Sequence, residues 1–469
     1  MLTLRKTYNA GSNYKTGKGK IDMTPSRPKI DRSNEIYERA REIIPAGTQT
    51  FSKGVTQFVN GFAPKYLHRG KGAYVWDVDG NCFLDFIMAL HPLILGYADN
   101  DVNSAIIEQL ELGTTFSLPN ELEVDVTELL IQTVPCAEAA RFGKNGSDAT
   151  TAAIRVARAI TGRDHVAYCG YHGWHDWYIA NTDLNSGIPE FNRKLAHSFT
   201  YNDLNSLEKI FSQHPQKVAC VIMEPLTILE PKDNFLHKVK EIAHHHNALL
   251  IFDEIITGYR FAIGGAQELT GVIPDLATYG KGISNGIPLS AIVGKKDYIF
   301  ALEKTFFSCT YGGDCIGLSA AKACISKIQR ENVPKHLSDQ GSVLKSNFNA
   351  LINQYGLTEF TRCVGYSCRS IVSFYGLDRF DPLEMKSYFQ QELLRRGILW
   401  TGYHALSLSH QDDDIALTMN AFEDVIKLFR KIVDGNRPLR SFIEGEPVKP
   451  VFRNVADFNS YVTQNGDQK

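Results

Sequence analysis

Residues 248–289 read ALLIFDEIITGYRFAIGGAQELTGVIPDLATYGKGISNGIPL, and the fold is decided here. The run ALLIF (residues 248–252) is apolar without a helical period, so it reads as a strand buried on both faces. It delivers Asp253 and Glu254 to a glycine-containing turn. Ligands of open α/β sheets sit beyond the carboxyl ends of strands, which places these carboxylates where chemistry is done. One strand and turn later, Lys281 stands between Gly280 and Gly282, after Tyr279 and before SNGIP. Flanking glycines leave its amine open to a bulky electrophile. Alone, a lysine in a GKG turn reads as a solvated loop residue; after a carboxylate at a strand end it becomes a candidate nucleophile.

An acid that keeps a pyridine nitrogen protonated and a lysine that forms a Schiff base are what pyridoxal phosphate (PLP) requires. DEIITGYR (residues 253–260) with YGKGISNGIP (residues 279–288) resembles the signature of class III, fold type I aminotransferases. The intervening GGAQELTGVIPDL is most similar to glutamate-1-semialdehyde 2,1-aminomutase. The resemblance extends from about residue 32 to about residue 432. It implies an α/β fold: a large domain with a mostly parallel sheet flanked by helices, plus a smaller α+β domain built from both ends of the chain. The expected division is a flexible basic arm (1–32), the first part of the small domain (33–115), the large PLP-binding domain (116–333), the second part of the small domain (334–435) and a C-terminal extension (436–469).

Bulk properties agree with a small-molecule enzyme. The 469 residues are 43% apolar, enough for large cores, and 50 Lys and Arg nearly balance 52 Asp and Glu. Nothing in that balance points to nucleic acid or a membrane surface. Nine cysteines are scattered, odd in number and without a CxxC pair, which argues against a disulfide framework or a cysteine zinc site. Reduced thiols and a cytoplasmic location are expected. Residues 1–32 are basic with two acidic residues, a composition shared with transit peptides; lacking amphipathicity, they read as a disordered or partner-embracing arm.

In chain order, SNEIYERAREIIPAG reads as a short helix with Ser33 as its N-cap. KYLHRGKGAYVWDVDGNCFLDF reads as two strands joined by Asp79 and Gly80. FGKNGSDATTAAIRVARAITG supplies a loop and an Ala-rich helix with Gly146 and Ser147 at its start, where backbone N–H groups and the positive dipole end can cradle a phosphate. An ordinary helix cap is the plain alternative there. The resemblance puts Gly146 and Ser147 on the phosphate-binding positions. It likewise makes Tyr171 the ring stacked over the pyridine, with His172 its neighbour and Ile255 on the opposite face. KVACVIMEPL is a further buried strand that ends in Glu224, which is carried among the cofactor-binding residues. Thr310 is implied to reach the phosphate in the neighbouring subunit of a homodimer with a shared active site. His172, His175 and Asp176 mimic a metal cluster but are mixed with Trp174 and Trp177 and lack a fourth ligand, so no metal is expected.

The resemblance assigns catalysis to Lys281 and Asp253: the lysine as carrier of the cofactor and then general base, the aspartate as partner of the ring nitrogen. These groups serve any amino transfer and do not choose the substrate. On the substrate side the chain departs from the aminomutase. Lys53 is offered where an arginine is typical, Met88, Ala89 and Leu90 replace Gly-Ser-Trp, no carboxylate occurs in residues 403–410, and the Gly and Asn after the EP pair are absent. The expectation is an aminotransferase using small-molecule amines and carbonyls, with a sugar or polyol precursor as substrate. The runner-up is a true aminomutase. A PLP-binding regulator without turnover is the remote alternative; such regulators carry an added helix-turn-helix domain, for which neither tail has the length.

Overall fold

The computed structural model describes residues 24–377 and 379–450. Among the described residues, fourteen strands form three sheets: β1 (Leu67–Lys71), β2 (Tyr74–Asp77), β3 (Cys82–Asp85), β4 (Ala139–Gly143), β5 (His165–Cys169), β6 (Ala196–Ser198), β7 (Val218–Met223), β8 (Leu249–Asp253), β9 (Leu276–Tyr279), β10 (Ser290–Gly294), β11 (Thr361–Tyr366), β12 (Arg369–Phe374), β13 (Ile398–Leu399) and β14 (Tyr403–Ala405). The central sheet has seven strands in the order β4-β10-β9-β8-β7-β5-β6, and β10 alone runs antiparallel to its neighbours.

Every residue of β7, β8, β9 and β10 is buried. Continuous apolar runs such as VACVIM and LLIFD suit strands covered on both faces by crossover helices. The helix Gly146–Thr161 covers one face with Ala149, Ala152, Ala153, Val156 and Ala157, whose small side chains allow close approach. Because β4, β5, β7, β8 and β9 all point the same way, their carboxyl ends share one edge. Gly146, Tyr171, Glu224, Asp253 and Lys281 lie at or just beyond those ends.

The remaining sheets are β1-β2-β3-β13 and β11-β12-β14. Parallel pairing of Ile398 with Leu84 and of Leu399 with Asp85 joins the two ends of the chain in one sheet. The segment read as two strands holds three. β1, LHRGK, lacks apolar alternation and pairs antiparallel with β2, with the Arg69 guanidinium 3.5 Å from the Trp76 ring centroid.

Two terminal expectations are corrected. The first helix is Asp31–Ile43, with Ser33 inside it. Its end is capped from a distance: the Asp79 carboxylate accepts from Arg32 N (2.7 Å) and Ser33 N (2.9 Å), freeing the Ser33 hydroxyl to accept from Lys65 N. Within the expected flexible arm, residues 24–32 are packed, with Ser26 N donating to Arg395 O and Arg27 donating to Gly61 O; residues 1–23 lie outside the described residues. The described part of the extension, residues 436–450, is likewise fastened. Glu446 bridges Asn60, Val448 N donates to Ser387 Oγ, and Lys449 N donates to Thr56 O.

Candidate active site

Asp253 ends β8 and is 4% exposed. Its Oδ1 accepts from Ile255 N (3.2 Å) and from the Thr278 hydroxyl (3.3 Å), which β9 brings alongside in register. Its Oδ2 lies 2.8 Å from His172 Nδ1, while His172 Nε2 faces the Cys169 carbonyl at 3.2 Å. Both ring nitrogens therefore face oxygen acceptors. Two N–H groups on the ring, or a proton on Asp253, satisfy that arrangement. His172, Ile255 N and Thr278 thus fix the carboxylate from three directions. Glu254, next in sequence, is structural: it accepts from Thr257, from Ala266 N at 2.8 Å and from Gln267 N at 3.1 Å, and burial raises its pKa.

Lys281 follows β9 at the start of a short 3₁₀ turn, with a left-handed φ of +40°. A lysine held there is strained, a condition that persists only when the surroundings over-determine it and that clusters at functional sites. Ile255 links this turn to the candidate phosphate cradle. A Cβ at Gly280 would lie 3.6 Å from the Ile255 side chain, and one at Gly146 would lie 2.6 Å from its Cδ1. A side chain at 146 would have to displace the end of Ile255. In the next turn Asp148 Oδ2 accepts from Lys144 N and Asn145 N, which turns the chain sharply into the helix, and Ser147 is 7% exposed. A 16-residue helix begins here, and its N-terminus carries the positive end of the helix dipole.

Tyr171 is placed by Glu224, whose Oε1 accepts from Tyr171 N at 2.9 Å. The preceding Gly170, at φ +107°, allows that approach, since a Cβ would sit 2.9 Å from Glu224 Oε1. Glu224 therefore positions the aromatic loop. His175, set aside as a metal ligand, accepts or donates at 2.8 Å with Thr151. Thr310 lies on an exposed loop near Phe306 and Tyr311, apart from the hydrogen bonds that assemble the other residues.

Three cationic or imidazole groups at this edge were not legible as site residues. Arg369, from β12, has its Nη1 3.7 Å from Glu224 Oε2, beyond hydrogen-bond reach, and its Nε and Nη1 are buried without hydrogen-bond partners. Arg260, 1% exposed, donates to the carbonyls of Leu406 (2.8 Å) and His91 (2.9 Å). His91 closes a run of left-handed residues, Met88, Ala89, Leu90 and His91, at φ of +44°, +54°, +75° and +84°. Burial, then Arg260, Arg369 and Lys281, hold its pKa well below the usual imidazole range. Arg260 belongs to the DEIITGYR motif, but its partners come from distant segments that spacing does not reveal.

A lysine in a strained turn, a buried aspartate and a helix N-terminus at the carboxyl edge of a mostly parallel sheet define a fold type I, PLP-dependent enzyme, and the donor set fits that cofactor. The class-III aminotransferase profile matches residues 60–426, and the chain belongs to that family. It is 34% identical over 416 residues to 3-aminobutyryl-CoA aminotransferase of Cloacimonas acidaminovorans, covering 86% of this chain and 99% of that protein. Against glutamate-1-semialdehyde 2,1-aminomutase of Methanocaldococcus jannaschii the identity is 31% over 427 residues, covering 85% and 99%. Among solved structures, the FumI protein of Sphingopyxis sp. MTA144, in its PLP internal aldimine form, superposes with a TM-score of 0.81 at 27% identity, covering 88% of this chain and 99% of that one. No helix among the described residues is long and apolar enough to cross a membrane.

Proposed function

We propose that this enzyme transfers an amino group between an amine donor and a carbonyl acceptor, using Lys281 as the amine that holds the cofactor. The observation that carries this reading is the convergence of Asp253, Lys281 and the Gly146–Ser147 helix terminus, tied together by Ile255 and Thr278. Bound PLP supplies an aldehyde carbon for amine capture and a pyridinium ring that takes up electrons from a breaking Cα–H bond. Asp253, its carboxylate held by Ile255 N, Thr278 and His172, would keep the proton on the ring nitrogen. Gly146 and Ser147 would hold the phosphate, and Tyr171 and Ile255 would confine the two ring faces. Lys281 would hold the cofactor's aldehyde carbon through its amine, and the same amine would serve as the general base that takes the proton from the substrate Cα. Thr310 is proposed to complete the site across a homodimer.

For the substrate we favour a compound other than glutamate semialdehyde, with a sugar or polyol precursor as its class. The unused N–H donors of Arg369 support a substrate bearing several oxygen acceptors or an anionic group. The 31% identity to the aminomutase supports the second reading, intramolecular amino exchange. Absorbance of the purified enzyme, followed while single amino donors are added without acceptor, separates them. A cofactor band converted by one donor, with release of a keto product, supports transamination and excludes the aminomutase. A band that no donor converts overturns our reading.

A further inference from the structure

Away from the active-site edge, three histidines meet at the amino end of the central sheet. His165 opens β5, His197 lies in the edge strand β6, and His214 caps the helix Leu204–Gln213. Parallel pairing of Ala167 with His197 brings His197 up on the face that His165 shares with Ala167. His165 Nδ1 and His197 Nε2 are 2.8 Å apart, with ring centroids 5.1 Å apart and planes 10° apart. That geometry is an edge-to-edge, coplanar N–H···N contact rather than a face-to-face stack. The His214 ring lies 4.1 Å from His197 and 4.6 Å from His165, centroid to centroid. One nitrogen from each ring falls within 4.8 Å of the other two.

A neutral imidazole has one donor and one acceptor nitrogen, so the 2.8 Å contact uses the N–H of one ring and the lone pair of the other, with a nitrogen of the His214 ring within 4.8 Å of both. We propose that His165, His197 and His214 form a binding site for a divalent transition-metal ion, of which Zn²⁺ is the representative, with water as fourth ligand. Tetrahedral Zn–N bonds of about 2.0–2.1 Å need nitrogens about 3.3 Å apart. The His165 and His197 nitrogens therefore separate by about 0.5 Å from the 2.8 Å contact, and the His214 nitrogen, within 4.8 Å of both, closes to the same spacing by a turn of its ring out of the stack. The bridging hydrogen moves to the outer nitrogen of its own ring, and the ligands stay neutral. Imidazole-only ligation suits Zn²⁺, Ni²⁺ and Cu²⁺ and disfavours Mg²⁺ and Ca²⁺. β5 spans five residues between His165 and the Gly170–His172 loop, roughly 13 Å of strand, so the ion takes no part in amino transfer. Its role is to staple the three-residue edge strand β6 and the end of the adjoining helix to β5.

The test uses PLP-loaded enzyme stripped with a chelator and titrated with ZnCl₂ by calorimetry. The expected result is one saturable site per chain, lost in both His197→Gln and His214→Gln. It is retained when His244, His245 and His246 are all changed to Gln and when the exposed Cys309 is changed to Ser. Should a cluster variant fail to fold, the wild type decides: Zn²⁺ must protect the peptides bearing His165, His197 and His214 from diethylpyrocarbonate. No saturable binding, binding that survives both substitutions, or protection confined to other histidines overturns the proposal.

Discussion

Replacing Gly146 with alanine tests the link between the phosphate cradle and the lysine turn. The added methyl would lie 2.6 Å from Ile255 Cδ1, whereas the next two Ile255 atoms stand at 3.4 and 3.5 Å. Carbon atoms pack at about 3.5–4.0 Å, so close to 1 Å of overlap must be relieved by moving Ile255 or the helix start. Overpacking of this kind costs about 1–3 kcal/mol, partly offset by roughly 0.5–1 kcal/mol from replacing a helical glycine. Because Ile255 also approaches Gly280, beside Lys281, the displacement is expected to weaken PLP binding more than it lowers fold stability. Ile255→Val deletes Cδ1 and leaves 3.4 Å as the shortest approach, an ordinary contact. The double variant should therefore recover PLP affinity, with a coupling of about 1 kcal/mol or more between the two sites. PLP titration by absorbance, beside urea melts of the same proteins, reads both quantities. Unchanged PLP affinity in Gly146→Ala, or no recovery in Gly146→Ala/Ile255→Val, refutes the reasoning.

Further outcomes follow from other contacts. Burial pushes Asp85 up to about 6 from 3.8, against hydrogen bonds from Tyr97 and Ile87. The native state thus holds its proton where the unfolded chain releases it, and this contribution to stability falls as pH rises from about 4 to 6, by at most about 3 kcal/mol. Urea melts of Asp85→Asn should lose that slope; an unchanged slope contradicts the assignment. Arg369→Leu should raise KM for a carboxylate-bearing or polyhydroxylated donor roughly 10- to 100-fold, the loss of about 1.5–3 kcal/mol, while retaining the cofactor band. An unaltered KM removes Arg369 from the substrate side. Deleting residues 444–469 removes the Glu444 pair with Arg395, the Glu446 bridge to Asn60 and the Val448 and Lys449 bonds. A loss of roughly 2–4 kcal/mol is expected in urea melts, and an unchanged midpoint would show the extension to be idle.

The large sheet was legible because its parallel strands are covered on both faces and leave unbroken apolar runs, and because Asp253 and Lys281 sit in recognisable turns at the ends of two of them. Local signals marked the helix Gly146–Thr161 in the same way. What escaped depends on partners distant in sequence. β1 is a polar edge strand held by β2, so LHRGK carries no alternation to read. Ser33 was read as a cap because the true cap, Asp79, comes from the hairpin. Arg369 reaches Glu224 only through the packing of β12 against the active-site edge, and the three histidines meet only through the β5–β6 register and the end of a helix.

The most direct measurement is reduction of the PLP-loaded enzyme with borohydride, followed by digestion and mass spectrometry of the labelled peptide. The account predicts a phosphopyridoxyl group on Lys281, abolished in Lys281→Ala. Label on another lysine, or amino transfer retained at the wild-type rate in that variant, would contradict it.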